Sequence, residues 1–268
     1  METSQRRGRR QHVLTVESTK ELTPHLVRVV ATGESLAEFA DNGCTDAYVK
    51  LMFVDPALGL EPPYDLAALR ETGQAPVVRT YTVRWFDQEA RRLAIDFVTH
   101  GDTGVAAPWA MKANPGDRLV LSGPGGAYAP DPAVPWHVFA GDLSALPAIA
   151  RSLEALPGDA RGVAHLEVNG DADIIDLERP EHVTVDWLVN PDPDDIAFLA
   201  RAVDGAHWPG GPVQVFAHGE RESVKAIRGV LRDRGVPREA ISISGYWARG
   251  RTEDAFQAEK RDPIGQID

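Results

Sequence analysis

Arg79-Thr80-Tyr81-Thr82-Val83-Arg84, followed by DFVTHGDTG from Asp96 to Gly104, is the stretch on which the fold turns. It joins a cationic, aromatic strand to a glycine-rich turn that opens a helix. Arginine supplies forked donors for phosphate, a tyrosine ring covers a flat heterocycle, and a threonine hydroxyl meets its polar edge. A flavin with a diphosphate tail needs that combination. The competing reading is a half-buried strand in which Thr80, Thr82 and Trp85 only favour β structure and both arginines face water.

Upstream and downstream of this stretch the texture is uniform up to about Ser122. HVLTVES, LVRVVATG, AYVKLMFV, VVRTYTVRWF, RLAIDFVTH and DRLVLSG are short β-branched runs broken by turn residues, the pattern of an antiparallel barrel or sandwich. Between two of them, Asp55 to Gln74 carries Pro56, Pro62, Pro63 and Gly73 and is expected to be a long loop. Beyond Gly123 to Pro135 the texture changes. WHVFAGD, GVAHLEV, VTVDWLV, PVQVFAH and AISISGYW are expected strands, and Leu143 to Leu156, Ile196 to Ala202 and Val224 to Leu231 carry helical periodicity between them. Strands separated by helices imply crossovers and a parallel sheet. The expected organisation is a basic, disordered tail over 1–10, a barrel domain over 11–130, and an α/β domain with a C-terminal helical segment over 131–268.

In a parallel sheet, ligands gather at the carboxyl ends of the strands. The first such end is Gly141-Asp142-Leu143-Ser144-Ala145-Leu146-Pro147, where a nicotinamide cofactor's diphosphate has a place to rest. An ordinary capped helix explains the same residues, because the GxGxxG spacing is absent. A second end is Ala217-His218-Gly219-Glu220.

Composition narrows the function classes. The chain has 268 residues, a formal net charge of −12 and one cysteine, Cys44. A strongly acidic chain is a poor general nucleic-acid binder, although Arg6, Arg7, Arg9 and Arg10 form a short basic run. A single cysteine supports no disulfide framework and suits a reducing cytoplasm. No apolar run reaches the length of a membrane span, so no stable membrane association is expected. The eight histidines show no zinc-ligand spacing, so no metal site is expected. GxSxG is absent as well.

Arg79 to Arg84, DFVTHG, GVAAPWA at Gly104 to Ala110, GDRLVLSGPGG at Gly116 to Gly126, GDLSALPAIARSLEALP at Gly141 to Pro157 and ISGYWARGRTEDAF at Ile243 to Phe256 together resemble the siderophore-interacting proteins. These are flavin-dependent ferric-chelate reductases of the ferredoxin reductase superfamily. The resemblance runs through nearly the whole chain. It implies an N-terminal antiparallel Greek-key β-barrel that binds FAD and a C-terminal parallel-sheet α/β domain that binds nucleotide. It assigns FAD contacts to Arg79, Thr80, Tyr81, Thr82, Asp96, Val98, His100, Gly101, Gly104, Val105, Ala106, Ala107 and Trp247. NADPH or NADH contacts fall on Asp142, Ser144, Ala145, Pro147 and Glu220, with reduced ferredoxin as the other possible donor. Lys50, Arg249 and Arg84 are implied to face the ferric siderophore, whose iron is substrate and not a resident cofactor. Two departures stand out: Gly125 lies where relatives often carry a basic residue, and Ala248 interrupts a segment often holding paired arginines. A non-catalytic siderophore or flavin carrier, and a reductase of free flavin, are the alternative readings.

Overall fold

The computed structural model describes residues 10–99, 101 and 104–267; the calls on His100 and on residues 1–9 lie outside them. β1 (His12–Thr23), β2 (Leu26–Thr32), β3 (Tyr48–Phe53), β4 (Val77–Asp87), β5 (Arg92–Val98) and β6 (Arg118–Gly125) close into a barrel in the order β1-β2-β5-β4-β3-β6. All neighbours are antiparallel. β3, β4 and β5 form a meander and β6 returns beside β3, which is a Greek key. Alternation does the sorting: along β3, Val49 and Leu51 are fully buried while Tyr48, Lys50 and Met52 lie on the other face.

The long loop expected between β3 and β4 contains a short helix, α1 (Leu66–Glu71). Asp65 caps it, accepting from the Ala67 and Ala68 amides at 3.0 and 3.1 Å. The prolines upstream mask that start, because they dominate the composition of the segment. α2 (Ala106–Lys112) follows the glycine turn after β5 and closes one end of the barrel with Ala106 and Ala110.

The second half is a parallel sheet. β7 (His137–Gly141), α3 (Leu146–Ala155), β8 (Gly162–Val168), β9 (Val183–Val189), α4 (Phe198–Gly205), β10 (Gln214–Glu220), α5 (Arg221–Asp233), β11 (Ile241–Trp247) and α6 (Glu253–Glu259) follow in chain order. The sheet order is β11-β10-β7-β8-β9. The three expected helices appear as α3, α4 and α5, and β8 reaches β9 without a helix, through a 3-10 turn at Asp171–Asp173 and an irregular segment. Gly170, Pro180 and the aspartates between them favour turns over a helical period. Both faces of the sheet are covered. Phe139, Ala164 and Phe216 pack towards α3, whereas Val138, Ala140, Val215 and Ala217 pack under α4 and α5, as a doubly wound sheet requires.

Helix α3 is also the joint between the halves. Leu26 and Tyr128 of the barrel half share its apolar cluster. Arg151 Nη1 donates to the Val83 carbonyl at 3.0 Å, Ser152 Oγ donates to Thr45 Oγ1 at 2.8 Å, and Arg84 forks onto Glu154. Behind Arg84, Asp96 takes both arms of Arg28 at 2.6 and 2.7 Å. Paired this way, each charge has a partner whose attraction offsets the desolvation that burial costs it.

Candidate functional site

The strand to which the resemblance assigns the flavin, β4, borders this joint through Thr82, Val83 and Arg84. Tyr81 packs against the barrel core with its ring 4.4 Å from that of Phe97, and burial raises its phenol pKa, helped by Glu253 and opposed by Arg79. Thr82 is buried, and Tyr246 from β11 packs beside it. Arg79 Nη1 donates to the Val78 carbonyl at 2.9 Å and to Asp254 Oδ1 of α6 at 3.0 Å. Both contacts run through one nitrogen, so the rest of the guanidinium fork is available to an anion.

The glycine turn is open. Gly101 and Gly104 have φ of +77° and +83°, and a Cβ at either would meet nothing within 4 Å. Val105 is exposed at the N-terminal end of α2, whereas Ala106 and Ala107 are buried beneath it. Asp96 is engaged with Arg28 and Arg84, and Val98 packs against the α3 cluster. A forked cation, an aromatic ring, a hydroxyl and an unobstructed turn fit the parts of FAD.

The sheet reverses its winding between β7 and β10, and the two carboxyl ends predicted from sequence meet there. Asp142 is their hub. Its Oδ1 accepts from Ser144 N at 2.8 Å and from the Ser144 hydroxyl, and its Oδ2 accepts from Glu220 N at 2.8 Å and Trp247 Nε1 at 2.7 Å. Glu220 caps α5 through Oε2, taking the Glu222 and Ser223 amides at 2.7 and 2.9 Å, and holds Arg249 N with Oε1 at 3.1 Å. Ala145 is fully buried at the start of α3 and Pro147 lies inside its first turn. Asp142 and Ser144 are half-buried and Trp247 and Arg249 are exposed, so these side chains carry the accessible surface of the crevice.

The three cations implied to face substrate lie on different elements, each with a partner of its own. Lys50 Nζ donates to Thr80 Oγ1 at 3.3 Å on the outer face of the barrel. Arg249 lies over the Trp247 ring at 5.8 Å and reaches Asp194 at 3.5 Å. Arg84 is held by Glu154 at the joint. Sequence reasoning missed α6 as a member of the site. Phe256 anchors this helix, Arg221 and Arg251 each bind Glu259 at 2.6 Å, and Asp254 spans to Arg79. Among the described residues no cluster of three His, Cys, Asp or Glu could hold a metal ion.

Two family profiles cover the chain: one described as a siderophore-interacting FAD-binding domain matches residues 15–128, and one described as siderophore-interacting protein matches residues 134–250. An uncharacterized protein of Mycobacterium tuberculosis is 46% identical over 95% of this chain and 96% of its own. The ferric vibriobactin reductase ViuB of Vibrio cholerae is 37% identical over 90% of each. The crystal structure of the siderophore-interacting protein SipS from Aeromonas hydrophila superposes with a TM-score of 0.81 at 32% identity, covering 96% of this chain and 99% of that one.

Proposed function

The chain belongs to the siderophore-interacting protein family, and on that premise we propose that it takes electrons from NADPH or NADH, with reduced ferredoxin as the other candidate, and delivers them to ferric siderophore in the cytoplasm. The observation that carries this reading is the meeting of two sites at one joint. The flavin strand at Thr82 touches Tyr246, and Tyr246 adjoins Trp247, which is tied to the nucleotide crevice through Asp142.

Bound FAD supplies the step from a two-electron donor to a one-electron acceptor, so one nicotinamide serves two ferric ions. The protein binds and orients. Arg79 anchors the diphosphate by charge-assisted hydrogen bonds, Tyr81 backs the ring, and Thr82 meets its polar edge. Asp142 and Glu220 fix the crevice in which the donor lies, with Ser144 and Trp247 as its accessible walls. Trp247 excludes water from the transfer path.

On the substrate side, Lys50 and Arg249 attract an anionic chelate towards the ring edge against an overall charge of −12. Ferrous iron is softer and less charged than ferric, so oxygen donors hold it less firmly and it leaves. No helix among the described residues is long and apolar enough to cross a membrane.

Arg79→Ala removes the anchor. Losing one charge-assisted contact of about 1.5–3 kcal/mol lowers FAD affinity roughly 10- to 100-fold. Fluorescence titration of apoprotein with FAD measures it, with circular dichroism to verify folding. Wild-type affinity in a folded Arg79→Ala variant would remove this strand from the flavin site.

A further inference from the structure

The β3 strand presents one feature on its outer face that the electron path does not use. Tyr48 pairs with Thr82 on one side and with Gly125 of β6 on the other, and Lys50, two residues along the same face, pairs with Thr80 and Ser122. Same-face neighbours on a strand are about 7 Å apart. The Tyr48 ring lies directly on Gly125: a Cβ built there would stand 2.6 Å from the phenol oxygen and 2.8 Å from Cε1.

Gly125 is not in the left-handed region, unlike its neighbours Gly123 and Gly126 with φ of +145° and +144°. Its backbone therefore tolerates any residue. What demands glycine at 125 is the ring. A Tyr48 ring in this position and a side chain at 125 exclude each other, so this chain carries an aromatic wall where a side chain from β6 would otherwise project. Beside that wall stand the Lys50 ammonium and the Thr80 hydroxyl, joined at 3.3 Å.

We infer that Tyr48, seated on Gly125, is the specificity-determining wall of the ferric-chelate site and favours chelates whose iron-binding oxygens are carried on aromatic rings, catecholates and phenolates, over aliphatic hydroxamates. This rests on the reading of Lys50 as a chelate-facing residue. An aryl chelate offers a ring to stack on Tyr48 and anionic oxygens to Lys50, within one strand's reach of Thr82. A trihydroxamate offers oxygens and no ring. Ring-on-ring contact beyond simple burial is worth roughly 3- to 10-fold in binding.

The test uses FAD-loaded protein with ferric 2,3-dihydroxybenzoate and ferric desferrioxamine as substrates, and compares wild type, Tyr48→Leu, Tyr48→Phe, Gly125→Ala and Lys50→Ala. Tyr48→Leu is expected to raise KM for the aryl chelate roughly 3- to 10-fold and that for the hydroxamate by less, with kcat changed little. Tyr48→Phe keeps the ring and restores the preference. Gly125→Ala pushes the ring aside and reproduces Tyr48→Leu. The flavin spectrum and the rate of donor-to-flavin transfer report that each variant is folded and loaded. Equal KM shifts for both chelates in Tyr48→Leu, or none, overturn the inference while a slowed Lys50→Ala leaves the site itself standing. If Lys50→Ala also behaves as wild type, the placement of the chelate site fails and the inference falls with it.

Discussion

The two ends of the parallel sheet carry opposite polar economies. At the carboxyl end, Asp142 takes four hydrogen bonds and Glu220 takes three. At the amino end, the Trp136 indole and the His137 and His165 rings are buried with few partners: Trp136 Nε1 and His165 Nε2 have none, and His165 Nδ1 has only Asp186 Oδ2 at 3.2 Å, beside a cavity of about 460 Å³. Burial depresses the pKa of both histidines, so each stays neutral. A neutral imidazole tolerates an unfilled bond far better than a carboxylate does. Apart from the buried His218 Nδ1, the carboxyl end is satisfied and preorganised, and it adjoins β4 through Tyr246 and Thr82; the other end serves the core.

Breaking the satisfied end produces the largest effect. Asp142→Ala leaves the Ser144 and Glu220 amides and the Trp247 indole without their acceptor, for an expected loss of about 2–3 kcal/mol. Urea denaturation measures it, and stopped-flow mixing with NADPH should show flavin reduction slowed more than 10-fold. Unchanged stability and reduction would mean that the hub holds nothing.

His218 marks the carboxyl end in a second way. Its ring is stacked on Phe216 at 4.0 Å and bonded to Ser242 at 3.0 Å, and burial, with Lys260 adding, lowers its pKa from 6.5 to about 3. The unfolded chain takes up this proton below pH 6.5 and the folded chain refuses it until about pH 3. Stability is therefore full above pH 6.5 and falls between these values, at up to about 1.4 kcal/mol per pH unit. His218→Phe should flatten that acid limb between pH 7 and pH 5, roughly by 1–2 kcal/mol. A limb of unchanged slope would assign the acid sensitivity to other groups.

Glu220→Gln sharpens the comparison more gently. The amide keeps one acceptor for the α5 cap but loses the charge at the helix N-terminus, at a cost of about 1 kcal/mol. Thermal melts should resolve a fall of a few degrees. No fall would show that the cap needs only a neutral oxygen. Smallest is His165→Leu at the amino end, which replaces a buried ring, partnered only through Nδ1 by Asp186 at 3.2 Å, with apolar volume and should change stability by no more than about 1 kcal/mol. Reduction rates should be those of wild type. A marked loss of either would reveal a role for the cavity.

Local pattern made much of this legible from sequence. Alternation exposed the barrel strands, and β-branched runs between amphipathic helices exposed the parallel sheet. The missing parts are long-range or chemically unusual. Asp254 meets Arg79 across 175 residues and Trp247 meets Asp142 across 105, and no periodicity encodes such pairs. Glutamate is not among the favoured helix caps, so the capping role of Glu220 carried no signal. Arg84 looked like a free cation because its partner, Glu154, is on another domain's helix.

The most direct measurement of the central claim is anaerobic mixing of FAD-loaded protein with NADPH, NADH or reduced ferredoxin, followed by ferric siderophore and a ferrous-specific chromogenic chelator. The account predicts that at least one donor bleaches the bound flavin, that ferric siderophore restores its colour, and that two ferrous ions appear for each two-electron donor consumed. Flavin that stays oxidised with every donor, or bleached flavin that ferric siderophore cannot reoxidise, would contradict it.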